Sequence, residues 1–384
     1  MQKYKKFIIA VLLIPLPFIF ALFALLYIYD PYMLFHKPYF REITFKQDMR
    51  LMARFVIDNY TFDSVIIGTS MLQNTSAKEA DEKLGGKWMN LSLAGSTLAE
   101  RAIVLEYFFK RKRNVQAVIY SLDAFTLAQN RGNNTNFKSA YEDDWKKRFG
   151  LYLNKNTILC ALQFSKKAKC IGSPLTDPSL EDFVKWIFEE DGKMRFGGFE
   201  NWLKGNDEAF KKRITEPMLN HTGNFFVHSQ VNTKIHQANT KKILLDFIAS
   251  HPNTKFHLLI PTYSRMLYAV NAKGGEFYFN KDFILFSQYQ DVLKWLIRET
   301  QNYPNVKIYG FDDLDYADNI ANYKDPSHYN IDMNSMQLDA IANQTHILTT
   351  QNMEEYFKTM ETRIKNYNLE PFMQQIKRYM ESQK

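Results

Sequence analysis

Five short apolar, β-branched runs alternate with stretches of helical periodicity between residues 63 and 348. The runs predict strands, because short apolar segments bounded by turn residues are typical of buried strands. They lie at residues 64–68, 88–93, 115–122, 255–261 and 306–311. The helical patterns between them lie at residues 76–84, 97–112, 234–250 and 284–301. We therefore expect an α/β fold, a three-layer α/β/α sandwich with a parallel sheet.

The alternation is interrupted once and ends before the C-terminus. Residues 126–233 lack strand alternation, and because so long a structureless loop is uncommon, they predict an inserted helical cap. Residues 349–384 carry two mostly polar helical patterns separated at Glu370-Pro371. We expect a domain over 63–348 that contains the cap, followed by a C-terminal helical extension.

The longest apolar run lies at the N-terminus, where residues 7–29 contain no charged side chain. A helix rises about 1.5 Å per residue, so this run is long enough for a hydrocarbon core of roughly 30 Å. Three lysines precede the run and Asp30 follows it, which orients the N-terminus toward the cytoplasm. We predict a cytoplasmic tail and single transmembrane anchor at 1–30, a juxtamembrane segment at 31–62 and an extracytoplasmic, periplasmic remainder.

The alternative for this run is a cleaved signal peptide, which has a shorter apolar region and an A-x-A-like cleavage site. No such triplet ends the run here, which favours the anchor. An extracytoplasmic chain enters an oxidising compartment, where Cys160 and Cys170 are able to pair. A disulfide and two free thiols both remain open from the sequence.

Composition narrows the class of protein. The 384 residues are 46% hydrophobic and 23% charged, which excludes a disordered chain. The formal charge of +8 permits a basic face toward anionic lipid or an anionic wall polymer. Two cysteines exclude a disulfide scaffold and a four-cysteine metal site. Histidine spacing predicts no metal, and the motifs predict no cofactor and no nucleic-acid partner.

A candidate nucleophile follows the first predicted strand, in the sequence Gly68-Thr69-Ser70-Met71. A hydroxyl on a tight turn between a strand and a helix is exposed at the edge of the sheet. The Ser70 N–H then lies near a helix N-terminus, where developing negative charge is stabilised. The alternative is an ordinary helix N-cap serine.

A candidate base follows the last predicted strand. Asp325 precedes His328 by three residues, so one loop supplies both a general base and the group that orients it. The carboxyl ends of parallel strands share one edge of the sheet, which brings this pair to the side that carries Ser70. The alternative is a loop histidine beside an aspartate that caps a helix.

The turn after the second strand contains Gly95, whose N–H is able to approach a ligand closely. We predict that the N–H groups of Ser70 and Gly95 form an oxyanion hole; a simple helix start at Ser96 or Thr97 is the alternative. With Ser70, Asp325 and His328, these features predict a nucleophilic acyl-transfer site.

These motifs resemble those of the SGNH (GDSL-like) hydrolase superfamily over residues 63–348, excepting the insertion. Thr69 replaces the aspartate of the family's first block, and Gly95, Asp325 and His328 match later blocks. The resemblance implies a flavodoxin-like sandwich. Asp123 lies in the third block, where no asparagine is present. An ionised Asp123 repels an oxyanion, so it must be protonated, turned away or paired with a cation.

The anchor, the first block and the insertion resemble those of membrane-tethered SGNH-like proteins of alginate and peptidoglycan O-acetylation and teichoic-acid D-alanylation. This resemblance implies a multi-span membrane-bound O-acyltransferase partner and an envelope glycan or anionic wall polymer as acceptor. It also makes Tyr263, Arg265 and Asp123 candidate substrate-binding residues. For Arg265, a surface arginine at a helix start is the alternative.

The sequence thus predicts a membrane-anchored O-acyltransferase, most simply an O-acetyltransferase that acts through an acyl-serine. Two alternatives remain. One is an esterase or deacetylase of envelope polymers, because water and a sugar hydroxyl both resolve an acyl-serine. The other is a non-catalytic docking subunit of an acylation complex, which the unusual third block keeps open.

Overall fold

The computed structural model describes residues 4–382 apart from 5–6, 8–10, 12, 47–48, 129–134, 175–195, 206–214, 216–231 and 272–285. The chain forms two compact units. Unit 1 comprises Met1–Tyr60, Ile103–Arg111 and Asn134–Phe183. Unit 2 comprises Thr61–Ala102, Lys112–Asn133 and Val184–Lys384. The predicted cap is therefore divided between the two units, and much of it lies outside the described residues.

Unit 2 contains a six-stranded, mostly parallel sheet, which confirms the expected α/β class. The described strands in chain order are β1 (Thr44–Phe45), β2 (Ser64–Ile67), β3 (Trp88–Asn90), β4 (Ala117–Ser121), β5 (Ser173–Pro174), β6 (Lys255–Leu259), β7 (Val306–Tyr309) and β8 (Ile347–Leu348). The sheet order is β3-β2-β4-β6-β7-β8, and only β8 is antiparallel to its neighbour. The five predicted strands are all present, each shorter than its apolar run.

The strands form where branched apolar residues lie on both sides of the backbone. All four residues of β2 and all five of β4 are buried, as expected of a parallel sheet enclosed on two faces. Their register pairs Ile66 with Ile119, and Ile66 also pairs with Asn90 of β3. The carboxyl ends of β2, β3 and β4 therefore lie side by side, which places the loops that follow them together.

The helices of unit 2 include those predicted at 76–84, 234–250 and 284–301 and others that were not predicted, such as Ile331–Asn343. They lie at Ser70–Gln73, Ala77–Leu84, Ala124–Leu127, Phe199–Gly205, Lys234–Thr240, Asp246–Ala249, Arg265–Asn271, Phe286–Thr300, Ile331–Asn343, Met353–Lys365 and Glu370–Ser382. A π-helical turn at Lys241–Leu245 joins two of them, and 3-10 turns lie at Asp315–Asp318 and Ile320–Asn322. The helix Leu98–Arg111 runs from unit 2 into unit 1. Two C-terminal helices are present, but the interruption between them lies at 366–369, and Glu370-Pro371, which was predicted as the break, begins the second helix.

Unit 1 combines N-terminal residues with part of the predicted cap. Its remaining helices are Pro15–Tyr29, Met49–Asn59, Trp145–Gly150, Lys155–Leu162 and Ala168–Ile171, with a 3-10 helix at Asn136–Tyr141. Strands β1 and β5 pair antiparallel. Cys160 and Cys170 form a disulfide, with their Cα atoms 5.7 Å apart. Of the two states that the sequence left open for these cysteines, the structure therefore has the bonded one.

The predicted anchor at 7–29 lies partly outside the described residues. Its described continuous helix is Pro15–Tyr29, which ends where the carboxylate of buried Asp30 accepts hydrogen bonds from the N–H groups of Leu34 and Phe35, both at 2.9 Å. Among the residues that the structure describes, none of the helices combines the length and the apolar character that crossing a bilayer requires.

Candidate active site

The turn after β2 presents Ser70 as the first residue of the helix Ser70–Gln73. Thr69 caps this helix, because its hydroxyl accepts a hydrogen bond from the Met71 N–H at 3.3 Å. Gly68 is required by close packing: a Cβ atom there would lie 2.5 Å from the Ser121 hydroxyl oxygen. The Gly68–Thr69 turn is therefore pressed against the end of β4, and Ser70 projects from a fixed backbone.

The structure brings Ser70, His328 and Asp325 together. The Ser70 hydroxyl oxygen lies 2.8 Å from Nε2 of His328, across 258 positions of sequence. Nδ1 of the same ring lies 2.8 and 2.9 Å from the two carboxylate oxygens of Asp325. An ionised carboxylate only accepts hydrogen bonds, so Nδ1 carries the proton and Nε2 is free to accept the serine proton. This is the arrangement of a nucleophile, a base and an orienting acid.

Asp325 is held as a carboxylate. Burial alone raises the pKa of Asp325, but the His328 ring, the Lys324 charge and a hydrogen bond from the His328 N–H hold that pKa well below its usual range. The Ser327 N–H and hydroxyl also donate to Oδ1 of Asp325, at 2.9 and 3.0 Å. Asp325 is thus negatively charged at neutral pH, which stabilises an imidazolium on His328.

The loop that carries this pair is a closed turn. Tyr323 and Tyr329 form an isolated antiparallel bridge, and the Lys324 N–H donates to the His328 carbonyl at 3.0 Å. The Ser264 hydroxyl, from the segment after β6, donates to the Pro326 carbonyl at 2.6 Å. These bonds fix the His328 ring relative to the sheet edge that carries Ser70.

The turn after β3 lies against the nucleophile turn. The Leu93 N–H donates to the Gly68 carbonyl at 2.8 Å, and the Ser96 hydroxyl donates to the same oxygen at 3.3 Å. Gly95, between them, is exposed and has φ of 60°, a left-handed conformation that favours glycine. The place where its Cβ would stand is open space. The oxyanion role of the Ser70 and Gly95 N–H groups stays a prediction.

Asp123, the unusual residue of the third block, is paired with a cation. Its Oδ2 lies 3.4 Å from Nη1 of Arg101, and both side chains are completely buried. The hydroxyls of Thr69 and Ser121 donate to its two carboxylate oxygens, each at 2.5 Å. Of the three states that the sequence allowed, the structure has the ion pair. Asp123 therefore binds the nucleophile turn rather than facing outward.

Sequence reasoning missed Arg101, which lies in the first turn of the helix Leu98–Arg111. Its guanidinium donates to the Ser121 carbonyl at 2.6 Å and to the Thr126 hydroxyl at 3.1 Å, and it lies 4.3 Å from the centre of the Tyr120 ring. The available signal was the third block itself, because a buried aspartate requires a counterion nearby. The helix that follows Gly95 was the nearest segment able to supply that counterion.

The candidate substrate residues Arg265 and Tyr263 are buried within unit 2. Arg265 starts a helix, as the alternative expected, but its side chain is fully buried and not on the surface. Its Nε lies 3.1 Å from a carboxylate oxygen of Asp318, and Nη2 donates to the carbonyls of Leu314 and Asp312. Through these contacts the Arg265 guanidinium holds the 312–318 loop in place.

Tyr263 accepts a hydrogen bond from the Ala124 N–H, at 3.4 Å. Burial raises the pKa of Tyr263 well above its usual range, so the phenol is neutral. This contact ties Tyr263 to the segment after β4, next to Asp123. The proposed substrate contacts of Tyr263, Arg265 and Asp123 stay predictions.

No protein-family model and no curated protein sequence matches this chain. Within the described ranges, no group of three or more histidine, cysteine, aspartate or glutamate side chains is placed to hold a metal ion. The remaining arrangement has an activated hydroxyl, a base that accepts its proton, and a buried carboxylate behind the base, which is suited to acyl transfer.

Proposed function

We propose that this chain is a membrane-anchored, extracytoplasmic O-acyltransferase of the SGNH type that acts through an acyl-serine. The acyl group is most simply acetyl, the acceptor is an envelope glycan, and a multi-span membrane-bound O-acyltransferase supplies the donor. The single observation that carries the proposal is the 2.8 Å contact between the Ser70 hydroxyl and Nε2 of His328, backed by Asp325.

In the first half of the reaction, the Ser70 oxygen attacks the carbonyl carbon of the acyl donor while Nε2 of His328 accepts the hydroxyl proton. Asp325 stabilises the imidazolium that forms. The carbonyl oxygen becomes an oxyanion, for which the Ser70 and Gly95 N–H groups are the proposed donors. The bond to the leaving group then breaks, His328 returns the proton to that group, and an acyl ester of Ser70 remains.

In the second half, an acceptor hydroxyl attacks the ester carbonyl and gives its proton to Nε2 of His328. The tetrahedral intermediate collapses, the Ser70 oxygen leaves and recovers the proton, and the acyl group is now on the acceptor. Water in place of the sugar hydroxyl makes the same site a hydrolase, because only the exclusion of water separates the two outcomes. The esterase is therefore an outcome of the test below.

The topology supports the SGNH assignment. When the five parallel strands are numbered along the chain, their order across the sheet is 2-1-3-4-5, which is the flavodoxin-like order. Ligands of such sheets lie beyond the carboxyl ends of the strands, and Ser70 follows β2 by three residues. The Arg101–Asp123 pair removes the objection that an uncompensated carboxylate lies near the oxyanion, which weakens the case for a docking subunit without activity.

Two features support the proposed location. The helix Pro15–Tyr29 carries no charged side chain, and the apolar run continues on its N-terminal side. The Cys160–Cys170 disulfide is typical of proteins that fold in an oxidising compartment. A single-pass anchor with the N-terminus inside agrees with both.

The decisive experiment is mass spectrometry of surface glycan from cells that carry the wild-type chain or Ser70→Ala. Ser139→Ala, at an exposed hydroxyl of unit 1, is the matched control. Loss of acyl mass in Ser70→Ala alone supports the transferase, whereas a gain of acyl mass supports the esterase. An unchanged glycan in Ser70→Ala overturns both enzymatic functions.

A further inference from the structure

Residues 154–172 of unit 1 form a short helix and a return segment that the Cys160–Cys170 disulfide closes; we call them the disulfide loop. Two hydrogen bonds hold the loop to neighbouring segments, one at its middle and one near its C-terminal end. The Tyr29 hydroxyl donates to the Ser165 carbonyl at 2.7 Å, and the Thr44 hydroxyl donates to the Ile171 carbonyl at 2.7 Å. The loop is therefore fixed against the end of the apolar helix Pro15–Tyr29.

The burial of residues in the apolar helix Pro15–Tyr29 shows which of its turns are covered by other segments of unit 1. Leu26 and Tyr29 are buried in unit 1, whereas those residues before Leu22 that the structure describes are exposed. Phe149, just before the disulfide loop, stacks on Phe23 with ring centres 5.0 Å apart. Phe23 precedes Tyr29 by six residues, which is about 9 Å along a helix. The segment around Phe149 therefore lies beside the last two turns of that helix and not only beyond its end.

The disulfide loop exposes large apolar side chains on one stripe of its helix and at the turn that follows. Leu159 and Leu162 are three residues apart, hence on one face, and they are 46% and 60% exposed. Phe164 is 55% exposed and its ring lies 6.4 Å from that of Tyr29. The opposite face of the helix, at Thr157 and Ala161, is buried. The exposed apolar stripe is therefore continuous with the apolar helix.

The segment that carries this stripe is basic, although Lys147, at its N-terminal end, is paired with Glu142. Residues 145–172 contain seven basic side chains and neither aspartate nor glutamate: Lys146, Lys147, Arg148, Lys155, Lys166, Lys167 and Lys169. Four of them belong to the disulfide loop and are exposed. Exposed leucine and phenylalanine bordered by lysine is the composition of segments that lie in a membrane interface, where lysines meet anionic headgroups.

We infer that the disulfide loop rests in the interface on the extracytoplasmic side of the membrane that the anchor enters. Leu159, Leu162 and Phe164 lie at the boundary between headgroups and acyl chains, and the lysines of the loop contact anionic headgroups. The inference rests on the proposed membrane location and goes beyond the acyl-transfer chemistry. Its partner is the lipid bilayer itself, because the stripe continues the helix that enters the bilayer. The Cys160–Cys170 disulfide keeps the loop closed while the loop lies in the membrane interface.

The test is photo-crosslinking of the full chain in vesicles of phosphatidylethanolamine and phosphatidylglycerol. A benzophenone amino acid replaces Leu162 or Phe164 in separate variants, and mass spectrometry detects lipid adducts on the corresponding peptides. Phe20, 69% exposed on the apolar helix, is the positive control. Asn59, exposed where the chain passes into unit 2, is the matched negative control. Probes at 162 and 164 are expected to give on the order of tenfold more lipid adduct than the probe at 59.

The outcomes separate the inference from the location on which it rests. Adducts at 20 without adducts at 162 or 164 leave the location standing and overturn the inference, as does crosslinking of 162 and 164 to protein instead of lipid. No adduct at 20 overturns the location and the inference together. In a further variant that carries the probe at 164, Lys166, Lys167 and Lys169 become glutamine, and the adduct yield is expected to fall at least about twofold. An unchanged yield overturns the role of the lysines.

Discussion

Arg101 and Asp123 form an ion pair in which both side chains are completely buried, and Asp123 at the same time accepts a hydrogen bond from the hydroxyl of Thr69 beside the nucleophile. The Thr69 N–H also donates to the Ser121 hydroxyl at 3.2 Å. Thr69 is therefore held through its backbone and its side chain. The peptide between Thr69 and Ser70 supplies the proposed oxyanion donor, so the ion pair fixes the direction of that N–H group.

The first prediction concerns the stability of this pair. Asp123→Asn leaves the Arg101 guanidinium buried without its counterion, and breaking a buried pair in this way costs about 3–5 kcal/mol of the free energy of unfolding. Urea denaturation of the purified chain measures the loss. The double variant Arg101→Met with Asp123→Asn removes both charges and is expected to recover part of it. A double variant less stable than both single ones would contradict the account of a charge left unpaired.

The second prediction separates the position of the nucleophile from the stability of the fold. Thr69→Val keeps the side-chain shape but removes the hydroxyl that joins Asp123 to the Ser70 turn. We expect kcat for a chromogenic acetyl ester to fall on the order of 10²-fold with little change in KM, because small displacements of a reacting group are costly. Thr69→Ser, which retains the hydroxyl, serves as the control and is expected to keep most of the activity. Equal kcat in the two variants would contradict the positioning role.

The third prediction concerns pH and Asp312. Burial raises the pKa of Asp312 from 3.8 to about 7, although Arg265 and the Tyr356 hydroxyl oppose the rise. Between those values the folded chain holds a proton that the unfolded chain has lost. The Asp312 contribution to stability therefore falls as pH rises from about 4 to about 7 and changes little above that range.

Asp312→Asn removes this titration, so the free energy of unfolding should depend less on pH across that window. Urea denaturation at a series of pH values measures the difference from the wild type. Asp339→Asn is the control, because this carboxylate is 53% exposed. If Asp312→Asn and the wild type follow parallel curves, Asp312 does not take up the proton.

The fourth prediction concerns the Cys160–Cys170 bond, whose cysteines are 10 residues apart. Closing a loop of this length restricts the unfolded chain and contributes roughly 3 kcal/mol to stability. Reduction with dithiothreitol should lower the melting temperature of the wild-type chain. The variant with both cysteines replaced by serine should show the lower melting temperature without reductant and should not respond to it. A response of that variant to dithiothreitol would show that the shift does not arise from this disulfide.

The parts of the fold that follow from local pattern were predictable. The runs that became β2 and β4 are apolar on both faces, and Gly68 and Gly95 stand at the turns where strands end. Strand β8 was not predicted, because Ile347–Leu348 offers only two residues and no period to recognise. Its antiparallel pairing with β7 depends on tertiary contacts.

The same distinction holds for the site. Ser70, Asp325 and His328 were recognised from their chemistry and their position after strands, and the structure brings them into contact. Arg101 was missed because nothing in its own neighbourhood distinguishes it from other basic residues of its helix. Burial next to Asp123 defines its role, and burial is decided by the packing of distant segments. Arg265 was predicted as a candidate substrate-binding residue, with a surface position as the alternative, and its burial beside the 312–318 loop was not foreseen for the same reason.

The 258 positions that separate Ser70 from His328 also determine when the chain acquires its chemistry. The Ser70 hydroxyl precedes its proton acceptor along the chain, and every parallel strand that the structure describes is synthesised before His328. A nascent, stalled or clipped chain that lacks the segment around His328 holds an ordinary alcohol in place of an activated one. Under the proposed function, such a chain is unable to form the acyl-serine until that segment has been made and folded against the sheet.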